Sequence, residues 1–268
     1  MAIPLLANPP FNQAARFSEL LAVLVRRNLK GRYRGSLLGV YWSLLNPIIM
    51  TCLYTAIFGA KFSEYYGNSL PNYVLAAFTG LVVINFFSAA TSQALVSVVG
   101  NGSLLNKIAL PVSVFPLAMI AANVFQFAVG ALPLLAIVTL VTSHSLLNVL
   151  ALLLPILALL LVSTGIGLLV SGLFVFFRDL PYFYELMVFV LWMSSPVFYP
   201  ADIVPPAVRP FLALNPLSPI IESLRQIVLS GSTPNLVLAW EALLRGVIIV
   251  SLGWFCFRWW RSQFMDLL

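Results

Sequence analysis

The chain has 268 residues, 61% of them hydrophobic and only 8% charged, with a net charge of +6 and a mean hydropathy of +1.02. A soluble domain carries roughly a quarter charged residues, so a soluble globule is excluded. The apolar runs exceed the ~20 residues that cross the hydrocarbon core and lack the period-two alternation of a membrane barrel, which leaves an all-α polytopic membrane protein. A positive balance suggests nucleic acid in a soluble protein. Here most cations flank apolar runs, so anionic headgroups are their expected counter-charge and no nucleic-acid partner is expected.

The N-terminal MAIPLLANPP has no basic region and is broken by prolines, so it does not read as a cleaved signal peptide. Residues 1–15 read as an irregular tail. Residues 16–35 read as a basic amphipathic helix, with Phe17, Leu20, Leu21, Leu24 and Val25 on one face. Its second half packs Arg26, Arg27, Lys30, Arg32 and Arg34 into nine residues. Such a helix lies in the plane of the interface, and Gly31 and Gly35 allow a bend before the first span.

Six spans are expected, at 36–59, 72–99, 112–141, 147–177, 182–200 and 236–257. Pro47 should kink the first. The loop 100–111, GNGSLLNKIALP, returns the chain to the basic side and offers Leu104, Leu105, Asn106, Lys107, Ile108 and Pro111. In the fourth span Ser163, Gly167 and Ser171 recur every four residues, a spacing that lets helices approach closely. Residues 201–234 hold six prolines yet stay partly apolar. That mixture fits short re-entrant helices between spans five and six, since broken backbone at membrane depth survives only against protein or water. Ten cations fall on the basic side and four on the other, which places both termini in the cytoplasm.

The chemistry is sparse. No phosphate-binding loop occurs, so the chain alone cannot cradle ATP, and no His, Cys or acidic cluster has metal spacing. Cys52 and Cys256 sit in apolar runs and read as buried free thiols; His144 reads as a solvated loop residue. Glu241 and Arg245, four apart, and Glu222 and Arg225, three apart, can pair on helices. Glu185 is the one acid well inside a span, near Arg178 and Asp179. It reads equally as a functional group and as an interfacial salt bridge with Arg178. No set of midplane acids suits ion coupling. Trp42, Trp192, Phe198 and Tyr199 are candidates for an aromatic substrate path that buries the C–H faces of sugars.

Five stretches carry a family likeness: LKGRYRGSLLGVYWSLLNP (29–47), NGSLLNKIALPVSVFP (101–116), FFRDL (176–180), SPVFYP (195–200) and LNPLSP (214–219). In order and spacing they resemble the permease subunit of bacterial ATP-binding cassette exporters of O-antigen, teichoic acid or capsule. The resemblance implies a homodimer in the inner membrane with its pore at the dimer interface, and two copies of a separate ATPase subunit that supply ATP and magnesium. It implies a lipid-linked polysaccharide as cargo, a coupling helix at Gly100–Pro111 and an outer gate at 201–234. A small-molecule or drug permease of the same transporter class, a membrane enzyme acting on polyprenyl-linked sugars, and a passive channel remain alternatives.

Overall fold

The computed structural model describes residues 10–105, 110–200, 203–230 and 236–267. The first nine residues of the expected tail lie outside these, as do Asn106, Lys107 and Ile108 of the expected coupling segment and parts of the proline-rich stretch. Among the described residues the chain is all-helical: α1 (Pro10–Tyr33), α2 (Trp42–Phe62), α3 (Leu70–Ser97), α4 (Gly102–Leu105), α5 (Val114–Val129), α6 (Ala131–Ser143), α7 (Leu146–Ala151), α8 (Leu153–Phe176), α9 (Leu180–Ser194), α10 (Arg209–Ala213), α11 (Ser218–Leu229), α12 (Val237–Trp260) and α13 (Phe264–Leu267). Five helical stretches have the length and composition to cross a membrane: Gly39–Tyr66, Leu70–Ser97, Val114–Ser143, Leu146–Phe176 and Val237–Gln263.

Local chemistry sets the boundaries. Helix α1 is already formed at Pro10, the first described residue, so Pro10–Ala15 of the expected irregular tail are helical. It ends at Tyr33, and Gly35 (φ 79°) and Gly39 (φ 50°) supply the left-handed backbone that turns the chain into α2. Ser69 caps α3 by accepting from the Asn72 amide at 3.4 Å. The third span breaks at Gly130 between α5 and α6, and the fourth at Leu152 between α7 and α8. Each break lies three residues before a proline, Pro133 and Pro155, whose ring displaces the carbonyl of the preceding turn.

Helix α9 has 15 residues, about 22 Å at 1.5 Å per residue, and so falls short of the ~30 Å hydrocarbon thickness. It stops at Ser195, in extended backbone ahead of Pro196, as the residue before a proline avoids the helical region.

Helix α3 is the hub, with 72% of its most apolar window buried. It packs against α2, α5, α8, α9 and α11. Helix α8 lies along α12, and its small residues are packing devices: a Cβ on Gly165 would stand 2.5 Å from the Ile249 carbonyl oxygen, and one on Gly167 would meet Ile120 at 3.0 Å and Ala94 at 3.1 Å. Helix α11 is only 12 residues long, yet Ile220, Ile221, Leu224, Ile227 and Val228 are fully buried. A second apolar cluster at the α1 end joins Leu24, Leu105, Val114, Phe115, Phe257 and Phe264.

Candidate functional site

Polar residues line one open face of the most buried span. Asn85, Ser88 and Ser92 follow one another at helical spacing on α3 and look out between α2 and α9. Two cavities lie along this face, and Ser88 borders both. The first, about 420 Å³, is framed by Arg32, Tyr33, Trp42, Asn46, Asn85 and Gln126 among others. The second, about 310 Å³, lies between α3 and α9 and includes Ser88, Ser92, Tyr184 and Glu185. Glu185 makes no ion pair among the described residues. Together the cavities form a polar furrow whose walls, α2 and α9, expose large apolar side chains such as Ile57, Leu186 and Val190.

Arg32 is the basic residue of α1 that turns into the bundle. Its guanidinium donates to the side-chain oxygens of Gln93, Gln126 and Asn123, the last at 3.3 Å, while the Asn123 amide donates to Gln93 at 2.8 Å. Burial raises the pKa of the neighbouring Tyr33 phenol, and the Arg32 charge opposes the shift. Arg26, Arg27, Lys30 and Arg34 stay exposed, and Arg27 reaches Asn101 at 2.9 Å.

The four aromatic candidates separate into three places. Trp42 sits at the first cavity. Trp192 and Phe198 meet edge to face at 6.0 Å, and Phe198 stacks on Tyr54 with ring centroids 3.8 Å apart. From there aromatic contacts run along α2 through Phe58 and Phe62 to Tyr73 and Tyr66. Tyr199 borders a third cavity of about 320 Å³ with Arg209, Glu222, Glu241 and Arg245. There Arg245 pairs with Glu241 at 2.5 Å.

The short α9 is made tenable by side chains from the proline-rich segment. A helix leaves its last carbonyls without intrahelical partners. Asn215 of LNPLSP donates to the Leu191 carbonyl at 3.0 Å and to the Ser195 hydroxyl at 2.9 Å. Arg225 of α11 is buried; it donates to the Pro196 carbonyl at 2.5 Å and the Val197 carbonyl at 3.1 Å, and lies over the Tyr66 ring at 5.6 Å. The two proline motifs, whose starts are nineteen residues apart, thus form one polar joint with Arg225.

The remaining expected residues fall elsewhere. Leu105 is buried at 3% exposure in the cluster at the α1 end, so it is a core residue, whereas Leu104 is half-buried and Pro111 exposed. Arg178 donates to the Leu267 carbonyl at 3.2 Å, and Asp179 stands exposed at the start of α9. Cys52 is exposed on α2 and Cys256 half-buried, both free, so burial of the first thiol is corrected: it lies on the open face of its helix. Sequence reading missed Arg32's inward contacts, although the i, i+3, i+7 spacing of Asn85, Ser88 and Ser92 was there to be read.

The described residues thus form a multi-pass helical membrane protein with a polar furrow between apolar walls. The chain belongs to the ABC-2 type transporter family, whose model matches residues 19–229, from α1 to the end of α11. Two Klebsiella pneumoniae proteins named O-antigen export system permease protein RfbA are similar to it. They are 27% and 28% identical over 252 and 255 residues, which cover 93% of this chain and 95% of each relative. A Myxococcus xanthus protein of the same name is 27% identical over 227 residues, 82% of this chain and 84% of its own length.

Proposed function

We propose that this chain is the transmembrane subunit of an ATP-driven polysaccharide exporter. It works as a homodimer in the inner membrane with both termini in the cytoplasm, and its cargo is a lipid-linked polymer. The observation that carries the reading is the polar stripe of Asn85, Ser88 and Ser92 opening between the exposed walls α2 and α9. Polar side chains at membrane depth face protein or water, not lipid, so a second copy facing this furrow would enclose a hydrated path. The names of the Klebsiella and Myxococcus relatives support polysaccharide as the cargo. No observation favours a small-molecule permease or a membrane enzyme.

Energy comes from ATP and magnesium on a separate subunit, docked at Gly100–Pro111. Helix α9 with its Asn215–Arg225 joint completes a sixth crossing, and α11 is a re-entrant helix at the outer side. ATP binding draws the subunits together and shifts the α2 and α9 walls as rigid bodies.

The test places a cysteine at Ser88 or Ile137 in a chain with Cys52→Ser and Cys256→Ser. A charged methanethiosulfonate should modify Ser88→Cys and block export, while Ile137→Cys on the lipid-facing side of α6 stays unmodified. Equal labelling of the two would overturn the path. Co-purification of the ATPase subunit should be lost with Ser103→Trp/Lys107→Glu, and indifference to that change would overturn the docking assignment.

A further inference from the structure

Helix α9 is lightly held along its length. It leans on α3 and α8 and buries one residue, Tyr184. Its outer end is fastened by Asn215 and Arg225. Its inner end starts at Leu180, just after α8, in the turn that carries Arg178. The Arg178–Glu185 pair that the sequence allows is not formed among the described residues. The Arg178 guanidinium instead lies over the Phe174 ring at 5.9 Å and donates to the Leu267 carbonyl at 3.2 Å. The inner end of α9 is thus tied to the segment that follows α12, Arg261–Leu267. That segment is anchored by Phe264, which is fully buried. Its ring meets Phe257 edge to face at 5.4 Å and Phe176 at 6.0 Å. Helix α8 makes room for it, since a Cβ on Gly172 would stand 3.5 Å from the Phe264 ring. Leu105 of α4 and Leu24 of α1 belong to the same apolar cluster as Phe264.

We propose that Arg261–Leu267 carries the displacement of the docking segment Gly100–Pro111 to the first turn of α9, with Phe264 and Arg178 as its positioning residues. The proposal rests on the exporter reading and names the route by which ATP binding moves one wall of the furrow. A close-packed cluster has little free volume and transmits strain, so a push on Leu105 is felt at Phe264. Phe264 and Leu267 belong to one helical turn, α13, so the buried ring and the bonded carbonyl move together. The donor to that carbonyl is a charged group, which makes the bond stronger than a neutral one, and the Phe174 ring holds the guanidinium over its face. Arg178 is exposed and stands two residues ahead of Leu180. Its bond therefore acts on the turn and not on the core. The outer joint holds the other end of α9, so a shift delivered at the inner end moves the helix as a body between two packings.

The test uses the full chain in complex with its ATPase subunit, with Cys52→Ser and Cys256→Ser and an environment-sensitive fluorophore on Tyr182→Cys, an exposed position in the first turn of α9. ATP binding should change the fluorescence of this parent complex. Arg178→Gln and Phe264→Ala should each cut that change at least threefold. In cells, export read as surface polysaccharide should fall at least fivefold. The ATPase subunit should still co-purify with both variants and hydrolyse ATP within twofold of the parent rate. Arg178→Lys keeps a charged donor and should hold export within twofold of the parent. Arg258→Gln, an exposed cation in the last turn of α12, should leave every reading unchanged. Arg178→Gln removes no buried group, so it decides the matter if Phe264→Ala fails to fold. Fluorescence change and export by Arg178→Gln within twofold of the parent would overturn the proposal. Loss of the ATPase subunit from that variant would overturn it too, marking Arg178 as part of the docking surface. Failure of the exporter reading is separate, since no ATPase would then co-purify with the parent chain.

Discussion

Helix α8 meets α12 backbone to backbone, with Gly165 against Ile249 and a Cβ on Gly253 directed into the Gly165 carbonyl. Helices α2 and α9 are placed the other way round. Only 17% of the α2 window is buried, Tyr184 is the single buried residue of α9, and Leu53, Ile57, Phe183 and Leu186 face outward. The contact of the first pair is closed inside one chain, where small residues allow close approach and dispersion between the surfaces holds it, while α12 turns its other face outward with Leu244, Ile248 and Phe255. The second pair is finished only against lipid or another chain, and it is the pair that borders the polar furrow. Close packing and open surface are thus divided between apolar elements by their small residues and not by apolarity alone.

The contrast can be broken from the scaffold side first. Gly253→Leu should prevent α8 and α12 from meeting and cost about 3 kcal/mol or more, seen as loss of a monodisperse peak and a collapsed thermal transition. Arg225→Met comes next. It leaves the Pro196 and Val197 carbonyls buried and unpaired, at about 2–4 kcal/mol; thermal unfolding should fall, and a cysteine at Val197 should become open to thiol reagents. Asn215→Leu should act on the same joint by about 1–3 kcal/mol. On the open pair the expected effect reverses in kind. Leu186→Ala/Val190→Ala, both at exposed positions of α9, should leave the unfolding of the isolated chain within about 0.5 kcal/mol while weakening self-association in analytical ultracentrifugation. Equal effects on both measurements would erase the distinction. The smallest effect is at His144, which holds φ 50° at the end of α6. His144→Gly relieves that left-handed backbone and should raise stability by about 0.5–1 kcal/mol.

Much of the fold is legible in the chain because the governing rule is local. Twenty apolar residues cross a bilayer whatever their neighbours do, so five of the six spans expected from hydropathy have helices of spanning length, and two of them break three residues before prolines 133 and 155. The Glu241–Arg245 contact is equally local, since residues four apart share a helical face. The i, i+3, i+7 stripe on α3 was legible too, but its meaning depends on what lies opposite it.

What the sequence determined by itself is therefore a bundle of apolar helices, a basic amphipathic first helix and the polar residues available to it. Tertiary structure decided which of five neighbouring cations turns inward, because the rotation of α1 is set by its packing on α5 and not by the charges it carries. It decided that Leu105 is core. It also decided that two proline motifs join through Asn215, Arg225 and the end of α9. Unpaired carbonyls in an apolar medium cost too much to leave exposed, and only the folded chain brings distant donors to meet them.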